Sequence, residues 1–141
     1  MPFEALTDVS YTTSATAVGG REGTVKSEDG VIDLPLGKPG SVANPKANPE
    51  SLFAAGYAAC FNSALLGAAR QRGLDITGTS VTAKVSLGST ETGFGIAVDL
   101  VAHIVGVGDG VATELLAAAH QGCPYSKATR GNIAVTMAAK G

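Results

Sequence analysis

Charge is scarce in this chain. Only 16% of its 141 residues are Asp, Glu, Lys or Arg, and the net charge is -2. No basic run and no stripe of aromatic and basic residues occurs, which argues against a nucleic-acid partner. Aromatic residues are also few, at 5%, and tryptophan is absent. There are only two cysteines, Cys60 and Cys123, and they form no CxxC pair. A disulfide between them is expected to be catalytic rather than structural, and zinc is not expected, because His120, Cys123, His103 and Cys60 lack paired ligand spacing. Neither a phosphate-binding glycine loop, nor a dinucleotide fingerprint, nor GxSxG is present. The opening MPFEALTDVSY has no basic region followed by an apolar run. The cytoplasm is therefore the expected location, with both thiols reduced at rest.

What is abundant is small and apolar. Hydrophobic residues reach 45% and glycine 19 residues, a globular balance with a plain surface that another subunit is expected to cover in part. The length suits one domain, 1–141. Ser51 to Ala69 carries no charge and is long enough to cross a membrane. Its small residues, with Asn62 and Ser63 inside, mark it instead as a buried helix. Asn48 is a suitable cap for it, Pro49 suits the first position and Glu50 favours the positive end of the dipole. Arg70, Arg72 and Gly73 form the matching stop signal.

Before this helix, SYTTSATAV and TVKS read as strands broken by GGRE, and EDG turns the chain into VIDLPL. Pro35 to Pro49 holds four prolines and reads as an irregular loop. After the helix, Val81 to Leu87 and Ile96 to Ile104 alternate as half-buried strands joined by STETG. Asp109 is expected to cap a second helix, Val111 to His120, closed by Gly122. CPYSKATRG is a short turn or helical piece, and NIAVTMA a last strand. Hairpins dominate, so the expected class is α+β with a largely antiparallel sheet.

Four residues carry chemistry: Arg21, Glu50, Cys60 and Cys123. By spacing alone Cys60 reads as a small core residue, since it recurs with Gly56, Ala64 and Gly67 on one helical face. A helix interior offers a thiol no dipole, so any activation has to come from a cation on another segment. Arg21 in GGREG is the candidate, although by itself it reads as a solvated turn charge. Glu50 reads equally well as a helix-start acid, and Cys123, just before Pro124, as an ordinary free thiol in an irregular segment.

The segments NPESLFAAGYAACF (Asn48–Phe61) and CPYSKATRGNIAV (Cys123–Val135), with GGREG and SEDGVIDLPL, resemble the organic hydroperoxide resistance (Ohr) proteins of the Ohr/OsmC superfamily. CPYS favours the Ohr branch. The resemblance covers essentially the whole chain. It implies a thiol peroxidase in which Cys60 is the peroxidatic cysteine and Cys123 the resolving one. Arg21 would contact the reactive thiol and Glu50 would hold that arginine. It further implies an intertwined α+β homodimer with no bound metal or flavin. The implied substrates are organic and lipid (fatty acid) hydroperoxides, and the implied reductant is a lipoyl-type dithiol, dihydrolipoamide or a lipoylated protein. Two departures, KANPES before the helix and Lys127 where Asn is more usual, leave the four chemical positions intact.

Residue chemistry agrees with that assignment. A thiolate attacks the weak O–O bond, becomes a sulfenic acid, and a second thiol condenses with it. A planar guanidinium suits the thiolate, and a carboxylate holds that guanidinium bidentately. Leu52, Phe53 and Phe61 are expected to favour alkyl over small hydrated peroxides. The pairing requires the end of the second helix to lie on the middle of the first, with Cα atoms within roughly 7 Å. Glu50 and Cys60 are ten residues apart, about 15 Å of helical rise. Hence Cys60 of one subunit is expected to be served by Glu50 and Arg21 of the other, with Gly56, Ala59, Ser63 and Gly67 allowing close helix approach. The alternatives are a redox sensor or hydroperoxide-binding protein using the same thiols without efficient turnover, and a structural protein with inert thiols.

Overall fold

A computed structural model of the chain describes residues 3–40 and 43–140. Residues 41 and 42, inside the proline-rich loop, lie outside that range. Its contacts divide the chain into two compact units, Met1–Pro49 and Glu50–Gly141.

The first unit is a three-stranded antiparallel sheet, β1 (Ala15–Val18), β2 (Thr24–Ser27) and β3 (Asp33–Pro35), in the order β1-β2-β3. The expected first strand is shorter than its β-rich sequence. Val18 pairs with Thr24 and Ala15 with Ser27; β2 then enters its turn, where Glu28 N donates to Ser14 O, and the ladder ends there. Strand propensity without a ladder does not make a strand. The turn after β2 is held by side chains. Ser27 Oγ donates to Asp29 Oδ1 at 2.6 Å, and the N–H groups of Ile32 and Val31 donate to Ser27 Oγ and Asp29 Oδ1. This unit has almost no interior: Leu36 is its one buried hydrophobic residue among those described, while Phe3, Leu6, Tyr11, Val18 and Val31 are each at least 70% exposed.

The second unit opens with α1 (Pro49–Gln71), which has Pro49 at its first position as the sequence indicates. It ends on a Schellman motif. Leu74 N donates to Ala69 O and Gly73 N to Arg70 O, with Gly73 at φ 67°, a conformation that costs glycine nothing. Arg72 Nη1 adds a bond to the carbonyl of Ala68. By length and composition α1 resembles a membrane span. One face, however, places Tyr57, Phe61, Leu65, Ala68 and Ala69 in the same apolar core as Val98 and Leu115. Asn62 is also used, its amide donating to Thr79 O.

The core's other wall is the sheet β4-β5-β6, made of β4 (Ser80–Thr90), β5 (Gly93–His103) and β6 (Val135–Lys140). β4 and β5 form a hairpin in which Thr90 pairs with Gly93, so the expected five-residue turn contracts to Glu91 and Thr92. Val98, Leu100 and Ala102 face inward and are buried; Asp99 and His103 face outward and are exposed. β6 runs parallel to β5, unlike the other strand pairs. A parallel neighbour requires a crossover, and α2 (Asp109–Gly122) with α3 (Pro124–Thr129) supplies it. α2 starts two residues earlier than its apolar pattern suggests. Gly108 takes the cap position and Asp109 falls in the first turn without capping it; there its carboxylate still faces the helix dipole.

Candidate active site

Cys60 sits in the middle of α1 and is half-buried, whereas Cys123 is buried, with 1% of its surface exposed. The irregular setting expected for Cys123 is in fact well tied. Its N–H donates to Ala119 O at 2.8 Å, closing α2, and its carbonyl accepts from Lys127 N at 3.0 Å, opening α3. Pro124, at the first position of α3, needs no partner for an N–H it lacks. This junction brings the two sulfurs to 3.4 Å, across 63 residues of sequence.

The local electrostatics of the Cys60 thiol are unfavourable to its anion. Burial pushes its pKa up; the backbone N–H of Tyr125 pulls it down; the Cys123 thiol pushes it up again, and the net displacement is upward. A resting thiolate at this position therefore requires a cation that outweighs these effects.

An aromatic cluster joins α1 to α3. Phe53 meets Tyr57 and Tyr125 edge-on, with centroids 6.1 and 6.0 Å apart, and the two tyrosine rings are 5.7 Å apart. Gly56 makes this approach possible. A Cβ there would stand 2.6 Å from Tyr125 Oη, which accounts for a glycine in mid-helix despite a propensity cost of about 1 kcal/mol. Of the expected pocket residues, Leu52 and Phe53 are half-buried. Phe61 has no exposed surface and packs in the core.

Glu50 is half-buried in the first turn of α1. The helix runs unbroken from Glu50 to Cys60, so the two are separated by about 15 Å along its axis. Arg21 belongs to the first unit, exposed on the single 3-10 turn Gly20–Glu22. Glycines shape this turn. Gly19 and Gly20 have φ of 82° and 65°, and a Cβ on Gly23 would collide with Val18 O. Among the described residues, no group of three or more His, Cys, Asp and Glu is placed to hold a metal ion.

Sequence reasoning missed a buried polar cluster beside the cysteines. Tyr57 Oη lies 2.8 Å from Ser126 Oγ and 3.1 Å from Thr129 Oγ1. Ser126 Oγ is also 2.9 Å from His120 Nδ1. Helical spacing contained a signal: Tyr57 precedes Cys60 by three residues and Ser126 follows Cys123 by three, so each shares a face with a thiol. Burial, and second the charge of Arg130, hold the His120 pKa below the usual histidine value. The fold thus favours neutral His120, and that contribution is present above the ordinary pKa and is lost as pH falls. Thermal melts from about pH 7 to 5 should show an acid-side loss of stability that is smaller in His120→Asn. Identical pH profiles for the two proteins would contradict the shift.

The family model described as OsmC-like protein matches residues 40–138. An organic hydroperoxide resistance protein of Xanthomonas axonopodis pv. citri is 46% identical over 133 residues, covering 92% of this chain and 94% of that one. OhrA of Bacillus subtilis is 47% identical, covering 90% and 94%. The chain belongs to the Ohr branch of the OsmC-like family. The crystal structure of Bacillus subtilis OhrB superposes with a TM-score of 0.86 at 44% identity, over 92% of this chain and 98% of that one. The α+β fold is thus the Ohr fold, as the motifs around Cys60 and Cys123 imply.

Proposed function

We propose that this Ohr-family protein is a thiol peroxidase that reduces organic and lipid hydroperoxides to alcohols. The observation that carries the reading is the 3.4 Å separation of a half-buried and a buried sulfur in the reduced chain. Cys60 as thiolate attacks the distal oxygen of ROOH. The O–O bond breaks, an S–O bond forms, and ROH leaves after taking one proton. Cys123 thiol then displaces water from the Cys60 sulfenic acid, forming the S–S bond. An external dithiol of the lipoyl type returns two electrons and two protons. Because the resolving thiol is already adjacent, the sulfenic acid is consumed before a second peroxide oxidises it further.

Arg21 supplies the cation that Cys60 lacks locally, and Glu50 orients it. Since Glu50 is held far from Cys60 on the same helix, the two work together across a homodimer. Two features support a partner copy: the nearly coreless first unit, and the exposed, uncharged stripe Ser51, Ala55, Ala59 and Ser63 on α1. The rings of Phe53 and Tyr125, with Leu52, suit an alkyl or acyl chain beside the sulfur. The cytoplasm, where dithiol reductants are maintained, is the compartment this cycle requires.

Steady-state assays with tert-butyl hydroperoxide, a fatty acid hydroperoxide and hydrogen peroxide test the reading, each run with dihydrolipoamide and with thioredoxin. Organic substrates with the lipoyl dithiol should be strongly preferred. Equal use of hydrogen peroxide with thioredoxin would refute the substrate and reductant assignment. Oxidation that stops at one equivalent per chain would indicate a sensor.

A further inference from the structure

We infer that the hydrogen-bonded chain His120–Ser126–Tyr57 is the positioning device that keeps Cys123 in register with Cys60. Among the contacts between α1 and the segment Cys123–Thr129, two run side by side: the sulfur pair at 3.4 Å, and Tyr57 Oη to Ser126 Oγ at 2.8 Å. Tyr57 lies one helical turn before Cys60 on α1, and Ser126 one turn after Cys123 on α3. The polar link therefore runs beside the thiol link and sets the same distance. The resolving role of this register rests on the peroxidase reading above; the geometry of the register does not.

The cluster is costly unless it is complete. Tyr57 and Ser126 have no exposed surface, and Thr129 only 5%. Apolar side chains of similar size would fill the same space without hydroxyls that must be paired. What the hydroxyls add is direction. Ring packing against Phe53 is only weakly directional, whereas a hydrogen bond through Ser126 favours one orientation of α3.

Proton counting fixes the direction of the chain. Thr129 Oγ1 also lies 3.2 Å from the carbonyl of Ser126, and that contact uses its only proton. Tyr57 must then donate to Thr129, and Ser126 to Tyr57. Ser126 Oγ is left as an acceptor, so His120 must donate from Nδ1. This is the one proton arrangement that makes all four contacts hydrogen bonds. His120 is therefore the Nδ1–H tautomer when neutral, and Arg130 Nη2, bonded to the His120 carbonyl at 2.6 Å, anchors the residue that begins the chain.

The test uses the full-length protein and the variants Tyr57→Phe and Ser126→Ala. Ile104→Val, a buried substitution at the residue after β5 and outside the hydroxyl chain, is a control for lost stability. Each is equilibrated in dithiothreitol buffers of graded oxidised-to-reduced ratio. There Cys60 and Cys123 lose two electrons and two protons to the oxidised dithiothreitol as the S–S bond forms. Thiol trapping reads the fraction oxidised. Both network variants should hold their disulfide at least tenfold less strongly than wild type, about 30 mV less negative, while Ile104→Val matches wild type. Nitrogen NMR of wild type should show His120 protonated at Nδ1. With excess cumene hydroperoxide, the variants should accumulate Cys60 sulfinic acid faster than wild type, because resolution is slowed.

Coincident equilibria for Tyr57→Phe and wild type, or an Nε2–H tautomer, would overturn the inference. If Ser126→Ala fails to fold, the isosteric Tyr57→Phe and the wild-type tautomer decide it alone. A wild type that forms the disulfide in these buffers yet does not turn over hydroperoxide removes the peroxidase reading, while the redox equilibria still decide the positioning role.

Discussion

Cys60→Ser should lower organic hydroperoxide reduction by more than about a thousandfold. The substitution changes one atom and leaves α1 and its packing in place. A serine hydroxyl does not ionise near neutral pH, and it has no counterpart to the sulfenic acid that receives the peroxide oxygen. Cys123→Ser should behave differently. Its first turnover should proceed at the wild-type rate, because attack on the peroxide involves only Cys60. The sulfenic acid then persists and over-oxidises on further exposure, which intact-protein mass spectrometry would record as two and then three added oxygens. Rapid-mixing kinetics separates the two cases. Activity retained by Cys60→Ser, or a first turnover abolished by Cys123→Ser, would reverse the assigned roles. The unequal exposure of the two sulfurs favours the assignment as stated, since a peroxide reaches the half-buried Cys60 before the buried Cys123.

Arg21→Ala should raise the pH at which Cys60 is alkylated by about one to three units, with a matching loss of peroxidase activity at neutral pH. Burial and the Cys123 thiol both raise the Cys60 pKa, and the single opposing Tyr125 N–H does not offset them. Without a cation, the thiolate would be a small minority at neutral pH. Arg21→Lys should be intermediate, because it keeps the charge but loses the planar fork that a carboxylate holds with two bonds. Mixing Arg21→Ala chains with Cys60→Ser chains then asks whose arginine serves whose sulfur. If the site is shared between subunits, each heterodimer holds one site free of both defects and should regain about half the wild-type activity. A verified heterodimer without recovery would place Arg21 and Cys60 in the same subunit. An alkylation profile unchanged by Arg21→Ala would assign the activation to another group.

The course of the backbone was legible wherever local chemistry decides it. Pro49 and Gly73 bound α1 because a missing N–H and a left-handed φ are properties of single residues. Alternation along β5 announced its buried face because side-chain direction in a strand has a fixed period. The motifs around Cys60 and Cys123 carried the family. Less of the site could be read. That Phe61 has no exposed surface came only from the structure, because nothing in a sequence tells how deeply an aromatic is buried. Gly56 looked like part of a small-residue face. Its role toward Tyr125 depends on a contact between segments 69 residues apart in the chain.

What the sequence by itself determined is thus the set of reactive groups and the elements that carry them: a thiol in mid-helix, a second thiol at a helix junction, an arginine in a glycine turn and an acid at a helix start. The tertiary structure alone decided that the two sulfurs meet at 3.4 Å, that Cys123 is the more deeply buried, and that a line of hydroxyls runs beside them to His120. Local order follows from bonds between near neighbours, which the sequence spells out. Distances across 63 residues follow from how a whole core packs, and no stretch of the chain contains that information alone.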